Sequence, residues 1–97
     1  MMKPSQALHE NRQSIRRIVA EHHAGNARVF GSVLRGEDGD TSDLDLLVDP
    51  TPETTLFDLA RIQGRLQAML GVPVDILTPN ALPEKFKAQV LAEAAPV

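Results

Sequence analysis

Three consecutive apolar residues, Leu46-Leu47-Val48, close a run that begins at Leu44. Strand side chains alternate between faces, so a segment apolar on both faces belongs at the centre of a sheet that is covered on both sides. Pro50 and Pro52 stop this strand. Thr54 or Thr55 then caps a helix reaching Leu70, with Leu56, Leu59, Ala60, Leu66 and Leu70 at helical spacing and Gly71 as its stop. Val72 to Leu77 reads as the next strand, with Pro73 near its start where a missing amide is tolerated. Strand, long helix and strand over about thirty residues form a crossover unit, so the two strands run parallel and the connection is right-handed.

The flanking segments complete a small domain. Pro4-Ser5 starts a helix with Ser5 as cap, and Leu8, Ile15, Ile18, Val19 and His22 recur on one side until Ala24-Gly25-Asn26 ends it. His22 and His23 fall in its last turn, where positive charge suits the dipole, and no third partner gives them ligand spacing. Ala27 to Phe30 is a short strand closed by Gly31, Ser32 to Arg35 is one helical turn, and Gly36 to Thr41 is a loop. Joined by so short an excursion, the first two strands are antiparallel neighbours. Gly64 weakens the long helix and marks close packing. Leu82 to Ala94 is a last helix with Leu82, Phe86 and Val90 in line. The expected fold is α/β (α+β), one domain over residues 1–97, with a mixed three-stranded sheet and the order α-β-α(short)-β-α-β-α. With 42% apolar residues but three Phe, no Trp and no Tyr, the core is largely Leu, Ile, Val and Ala.

The chemistry is concentrated between Val29 and Asp49, which hold six of the thirteen acidic residues. Asp43 and Asp45 stand two apart at the head of a strand, hence on one face and about 7 Å apart along the backbone. In the expected topology Gly31-Ser32 ends its strand beside them, and Asp75 reaches the same edge on the crossover strand. Magnesium takes oxygen ligands, commonly one or two carboxylates plus phosphates and water, and two such ions clamp an in-line displacement. Gly31 leaves room for a triphosphate, and the amide and hydroxyl of Ser32 can donate to it. Arg35 is one turn on, able to neutralise departing pyrophosphate or to pair with the acidic loop. Ser42, directly before Asp43, joins the candidate nucleotide-binding residues. Glu37, Asp38 and Asp40 read as solvated loop and Asp49 as a turn residue.

Other readings fail on spacing. An EF-hand beginning at Asp38 would place Asp43 where Gly is needed, and Glu37-Asp38 follow Gly36 where a P-loop carries Lys and Ser or Thr. The absence of cysteine excludes thiolate metal sites, and a net charge of −3 gives no general attraction to nucleic acid or anionic membrane. Without an apolar leader or a run of membrane-spanning length, a cytoplasmic protein is expected.

Gly31-Ser32, ten residues, then Asp43-x-Asp45, with Asp75 on a later strand, resembles the signature of the DNA polymerase β-type nucleotidyltransferases. The fuller string FGSVLRG…SDLDLLVD is similar to the minimal nucleotidyltransferases, the antitoxin halves of pairs with HEPN-domain toxins. The resemblance implies that Asp43, Asp45 and Asp75 are a catalytic triad holding magnesium as two ions, and that Gly31-Ser32 hold the triphosphate of ATP. It further implies transfer of AMP to a tyrosine of a HEPN ribonuclease toxin that is thereby silenced, in a hetero-oligomer with that toxin. Two other functions fit the same residues: neutralisation of the toxin by binding alone, and transfer to a small molecule such as an antibiotic.

Overall fold

Residues 3–97 are described by the computed structural model. Helices α1 (Pro4–Glu10) and α2 (Arg12–Glu21) lead into β1 (Ala24–Phe30), the single turn α3 (Gly31–Leu34) and β2 (Leu44–Pro50). Helix α4 (Leu56–Leu70) connects to β3 (Val74–Leu77), followed by a 3-10 turn at Pro79–Ala81, helix α5 (Glu84–Glu93) and β4 (Ala95–Pro96). The sheet order is β3-β2-β1-β4. β2 is antiparallel to β1 and parallel to β3, as the crossover requires.

Pleating divides the sheet into two unlike faces. Val29, Leu44, Leu46, Val48, Val74 and Ile76 form the main core with Ile15, Ile18 and Val19 of α2 and Ile62, Leu66 and Leu70 of α4. The opposite face carries Phe30, Asp45 and Asp75 in one row and Leu47 with Leu77 in the next. Leu47 is fully buried yet lies outside the main core, where the Pro79–Ala81 turn packs on β2. Both faces of β2 are therefore covered over Leu46–Val48, as its apolar run demands.

Five expectations are corrected. The sheet has four strands, because Ala95–Pro96 pairs with β1 and is held there by Arg12 on the Pro96 carbonyl (3.3 Å), Arg16 on the Val97 carbonyl (2.6 Å) and the Val97 amide on Ala27 (2.9 Å). The first helix is two helices, broken at Asn11, whose side chain donates back to the Ala7 carbonyl at 2.9 Å. Ser5 is not its cap: Lys3 holds that position, and the Ser5 amide donates to the Asp38 carboxylate at 2.9 Å. That bond lowers the Asp38 pKa and takes this residue out of the solvated loop. Gly64 marks no close packing, since nothing lies within 4 Å of where a Cβ would stand.

Helix α4 is bounded as expected. Thr55 and Asp58 form a reciprocal capping box, and Gly71 ends the helix in the left-handed region at φ 71°. Leu56 and Ala60 face outward, however, and the buried stripe is Asp58, Ile62, Leu66 and Leu70.

Candidate active site

Register brings the acidic residues together. Asp45 pairs with Phe30 across β1 and with Asp75 across β3, so both carboxylates project from the open face at the same level. Asp43 lies one residue before β2 and is exposed, rather than inside the strand as expected, but its charge still acts on Asp45. Asp75 is exposed, at the sheet edge.

Asp45 is the strained member of this group. Burial first, and then the charges of Asp75 and Asp43, together raise its pKa from 3.8 to about 6 against the opposing charge of Arg35. A carboxyl in that setting favours either a proton or a cation. Gly31, the first residue of α3, presses on it: a Cβ at Gly31 would collide with the Asp45 carboxylate, and its φ of +76° already suits glycine. The glycine is thus required by the carboxylate beside it as well as by the turn.

α3 is only one turn long, so it contributes little macrodipole. What it offers is the first-turn amides, which have no partner inside the helix, and the half-buried Ser32. Arg35 caps its C-terminal end, exposed, with Nε 3.3 Å from Glu37 Oε2. Of the two roles foreseen for Arg35, pairing with the acidic loop is the one present here, and its charge also opposes the rise in the Asp45 pKa. Ser42 turns inward to the loop, its Oγ accepting from the Gly39 amide at 2.9 Å.

Magnesium is the group that the resemblance in the motifs implies. Among the described residues no three His, Asp or Glu side chains stand as a ready-made metal cage. The donor set nevertheless suits the ion: hard carboxylate oxygens, one of them raised in pKa by burial and by its acidic neighbours, beside the first-turn amides of α3. Magnesium seldom uses an all-protein cage and completes its shell with water and substrate phosphates.

Two groups were not legible as such. A cleft of about 360 Å³ opens beside the phosphate turn, lined by Phe30, Gly31 and Arg35 on one side and by Leu82, Phe86 and Val90 on the other. The in-line spacing of the last three residues was its signal, read only as the mark of a last helix. His22 and His23 follow α2 rather than ending it, with Nδ1 atoms 3.9 and 3.3 Å from the Asp58 carboxylate. They tie α2 to the capping box of α4, at the end of the sheet remote from the carboxylates. Asp49 is likewise no turn residue but a strand partner, bonded to Arg28 and, at 2.8 Å, to the Asn26 side chain.

Residues 12–97 match the profile of the nucleotidyltransferase domain. The chain is 37% identical to a candidate protein adenylyltransferase of Methanocaldococcus jannaschii, over 93% of this chain and 97% of that one. It is also 37% identical to the protein adenylyltransferase MntA of Thermococcus cleftensis, over 67% of this chain and 66% of that one. A solved structure of a candidate minimal nucleotidyltransferase superposes with a TM-score of 0.85 at 43% identity, covering 96% and 95% of the two chains. A toxin–antitoxin structure with AMP-PNP gives 0.74 at 18% identity over 89% and 71%, which shows a shared fold.

Proposed function

The chain belongs to the nucleotidyltransferase domain family, and from that premise we propose that it transfers AMP from ATP to a partner protein, as the antitoxin of a toxin–antitoxin pair. The observation that carries this reading is the parallel pairing of Asp45 with Asp75 on the open face, with Gly31 packed against Asp45. The names of its relatives, protein adenylyltransferases, support a protein acceptor. The resemblance in its motifs points to a HEPN-domain ribonuclease as that acceptor. We take the 97 residues to act as one minimal domain, with the acceptor presented by the other protein.

Asp43 and Asp45, with Asp75, would hold magnesium, which supplies charge neutralisation on the triphosphate when bound. The Ser32 hydroxyl and the free amides of α3 donate to phosphate oxygens, and Arg35, released from Glu37, faces the charge of departing pyrophosphate. Asp75, exposed at the sheet edge, accepts the proton of the acceptor hydroxyl. The acceptor's hydroxyl oxygen bonds to the α-phosphorus as the bond from that phosphorus to the α,β-bridging oxygen breaks, and pyrophosphate leaves.

Incubation with α-labelled ATP, magnesium and the toxin encoded beside it tests this. Label should appear on the toxin and vanish with Asp43→Asn plus Asp45→Asn. A second reading, neutralisation by binding alone, is favoured by the outward-facing pair Leu56 and Phe57, 84% and 75% exposed, which suits a protein contact. Neutralisation that survives the double substitution without label on the toxin would establish that reading instead.

A further inference from the structure

Leu56 and Phe57 open helix α4 and are the most exposed large apolar side chains among the described residues. Apolar surface left in water adds nothing to the fold, and two such residues side by side form a patch at which proteins meet. The charges around them are also unspent. Arg61 stands one helical turn after Phe57, exposed and on the same face. Every other arginine has a carboxylate or a backbone carbonyl as partner, whereas Arg61 has neither among the described residues. The same holds for the carboxylate of Glu53, exposed just before the cap at Thr55. An unpaired acid and an unpaired base therefore flank the apolar pair, four residues to either side of Phe57.

We propose that a second copy of this chain docks here, about a twofold axis through Phe57. An antiparallel pair of α4 helices centred there sets Phe57 against Phe57 of the copy and brings each Arg61 to the other copy's Glu53. The patch is thus its own complement, which is what a twofold interface requires. A different partner gives no reason for acid and base to stand at equal spacing about the apolar pair. Each copy carries a net charge of −3, so copies repel except where opposite charges are matched. Position also favours the copy over the acceptor protein. α4 begins beyond Pro50, at the end of β2 opposite Asp45, about 17 Å away at the strand rise per residue. A docked copy leaves the carboxylates and the phosphate turn uncovered, with the two candidate sites facing outward, each open to its own acceptor. Two apolar side chains per copy fall short of the roughly 800 Å² per partner of a standard interface, so the dimer is weak and forms as concentration rises.

Sedimentation equilibrium of the full chain, from micromolar to millimolar concentration at low salt, tests this. The mean mass should rise with concentration from one chain toward two. Phe57→Ser should hold it at one chain, with the melting temperature unchanged. Glu53→Arg and Arg61→Glu should each weaken association about ten-fold or more, because the twofold axis repeats every like-charge contact. The two reversals combined should restore it, which a merely adhesive apolar surface would not do. A mass of one chain at every wild-type concentration would overturn the proposal. So would a dimer that survives Phe57→Ser, or a double reversal that associates no better than the single ones. A wild type that is monomeric alone, yet loses its hold on the toxin encoded beside it when Phe57 becomes Ser, would overturn it in favour of that toxin as the occupant.

Discussion

Asp45 and Asp58 are two acidic residues that the fold draws inward, and it treats them in opposite ways. Asp58 is 6% exposed. The Thr55 amide lowers its pKa against the cost of burial, and His23 lowers it further. It caps α4, accepts from Thr55 at 2.9 Å and anchors the chain after α2. Asp45 is raised to about 6 by burial and two like charges, with only Arg35 opposing. One carboxylate is supplied with donors and holds structure together; the other is deprived of them. Deprivation of that kind marks a place prepared for a ligand.

The sharpest way to break this comparison is Asp45→Asn. In the proposed mechanism it should lower label transfer about a hundredfold or more, as expected when several kcal/mol of charge stabilisation are lost. The same substitution should stabilise the metal-free protein at pH 7. The shift from 3.8 to about 6 corresponds, after discounting for solvent screening, to a gain of about 1–2 kcal/mol. Thermal unfolding with a chelator present checks it. The gain should fade at pH 4.5, where the folded state already carries the proton. A neutral or destabilising Asn at pH 7 would mean that Asp45 is satisfied, and the contrast with Asp58 would collapse.

Asp58→Ala should act in the opposite sense, lowering the melting temperature by several degrees through loss of the capping box and of the His23 tether, with the site itself intact. The pH slopes of the two residues differ in sign. Asp58 has a depressed folded pKa, so its contribution is present above 3.8 and is lost as the pH falls through the lower folded value. Asp45 has a raised one, so the fold favours its protonated form, and stability declines as pH rises from about 4 to 6. Comparing unfolding curves of wild type, Asp45→Asn and Asp58→Ala between pH 3 and 7 separates these slopes. Parallel curves for all three would show that neither carboxylate is shifted.

What could be read from the sequence follows the range of the interactions involved. The cap and stop of α4 are local signals and stood where expected, and the Gly31-Ser32, Asp43, Asp45 and Asp75 positions meet because a right-handed crossover leaves few alternatives. β4 was invisible because two residues, one of them Pro, become a strand only through a partner some seventy positions away. The break at Asn11 was invisible because apolar periodicity continues across it. The buried stripe of α4 was misphased by expecting only apolar members. Steps of four residues join Asp58, Ile62, Leu66 and Leu70, whereas Leu56 lies about 240° around the helix from Ile62. Asp58 was therefore passed over for being charged, although it heads the core stripe.

The smallest effect extends the comparison to two glycines. Gly64 sits in α4 with open space around it and no unusual backbone angle, so it serves neither the core nor the site. Gly64→Ala should stabilise the protein by about 0.5–1 kcal/mol, through reduced freedom of the unfolded chain and better helix propensity, with transfer unchanged. The same substitution at Gly31 meets the Asp45 carboxylate and a φ of +76°, and should cost about 1–2 kcal/mol. Chemical denaturation of the two variants reads both signs. If Gly64→Ala destabilised as much as Gly31→Ala, tolerance of a Cβ would not separate the site from the helix that supports the sheet. If the signs are opposite, the constraint on glycine belongs to the crowding around Asp45, where the fold gives up stability to hold a carboxylate against the α3 turn.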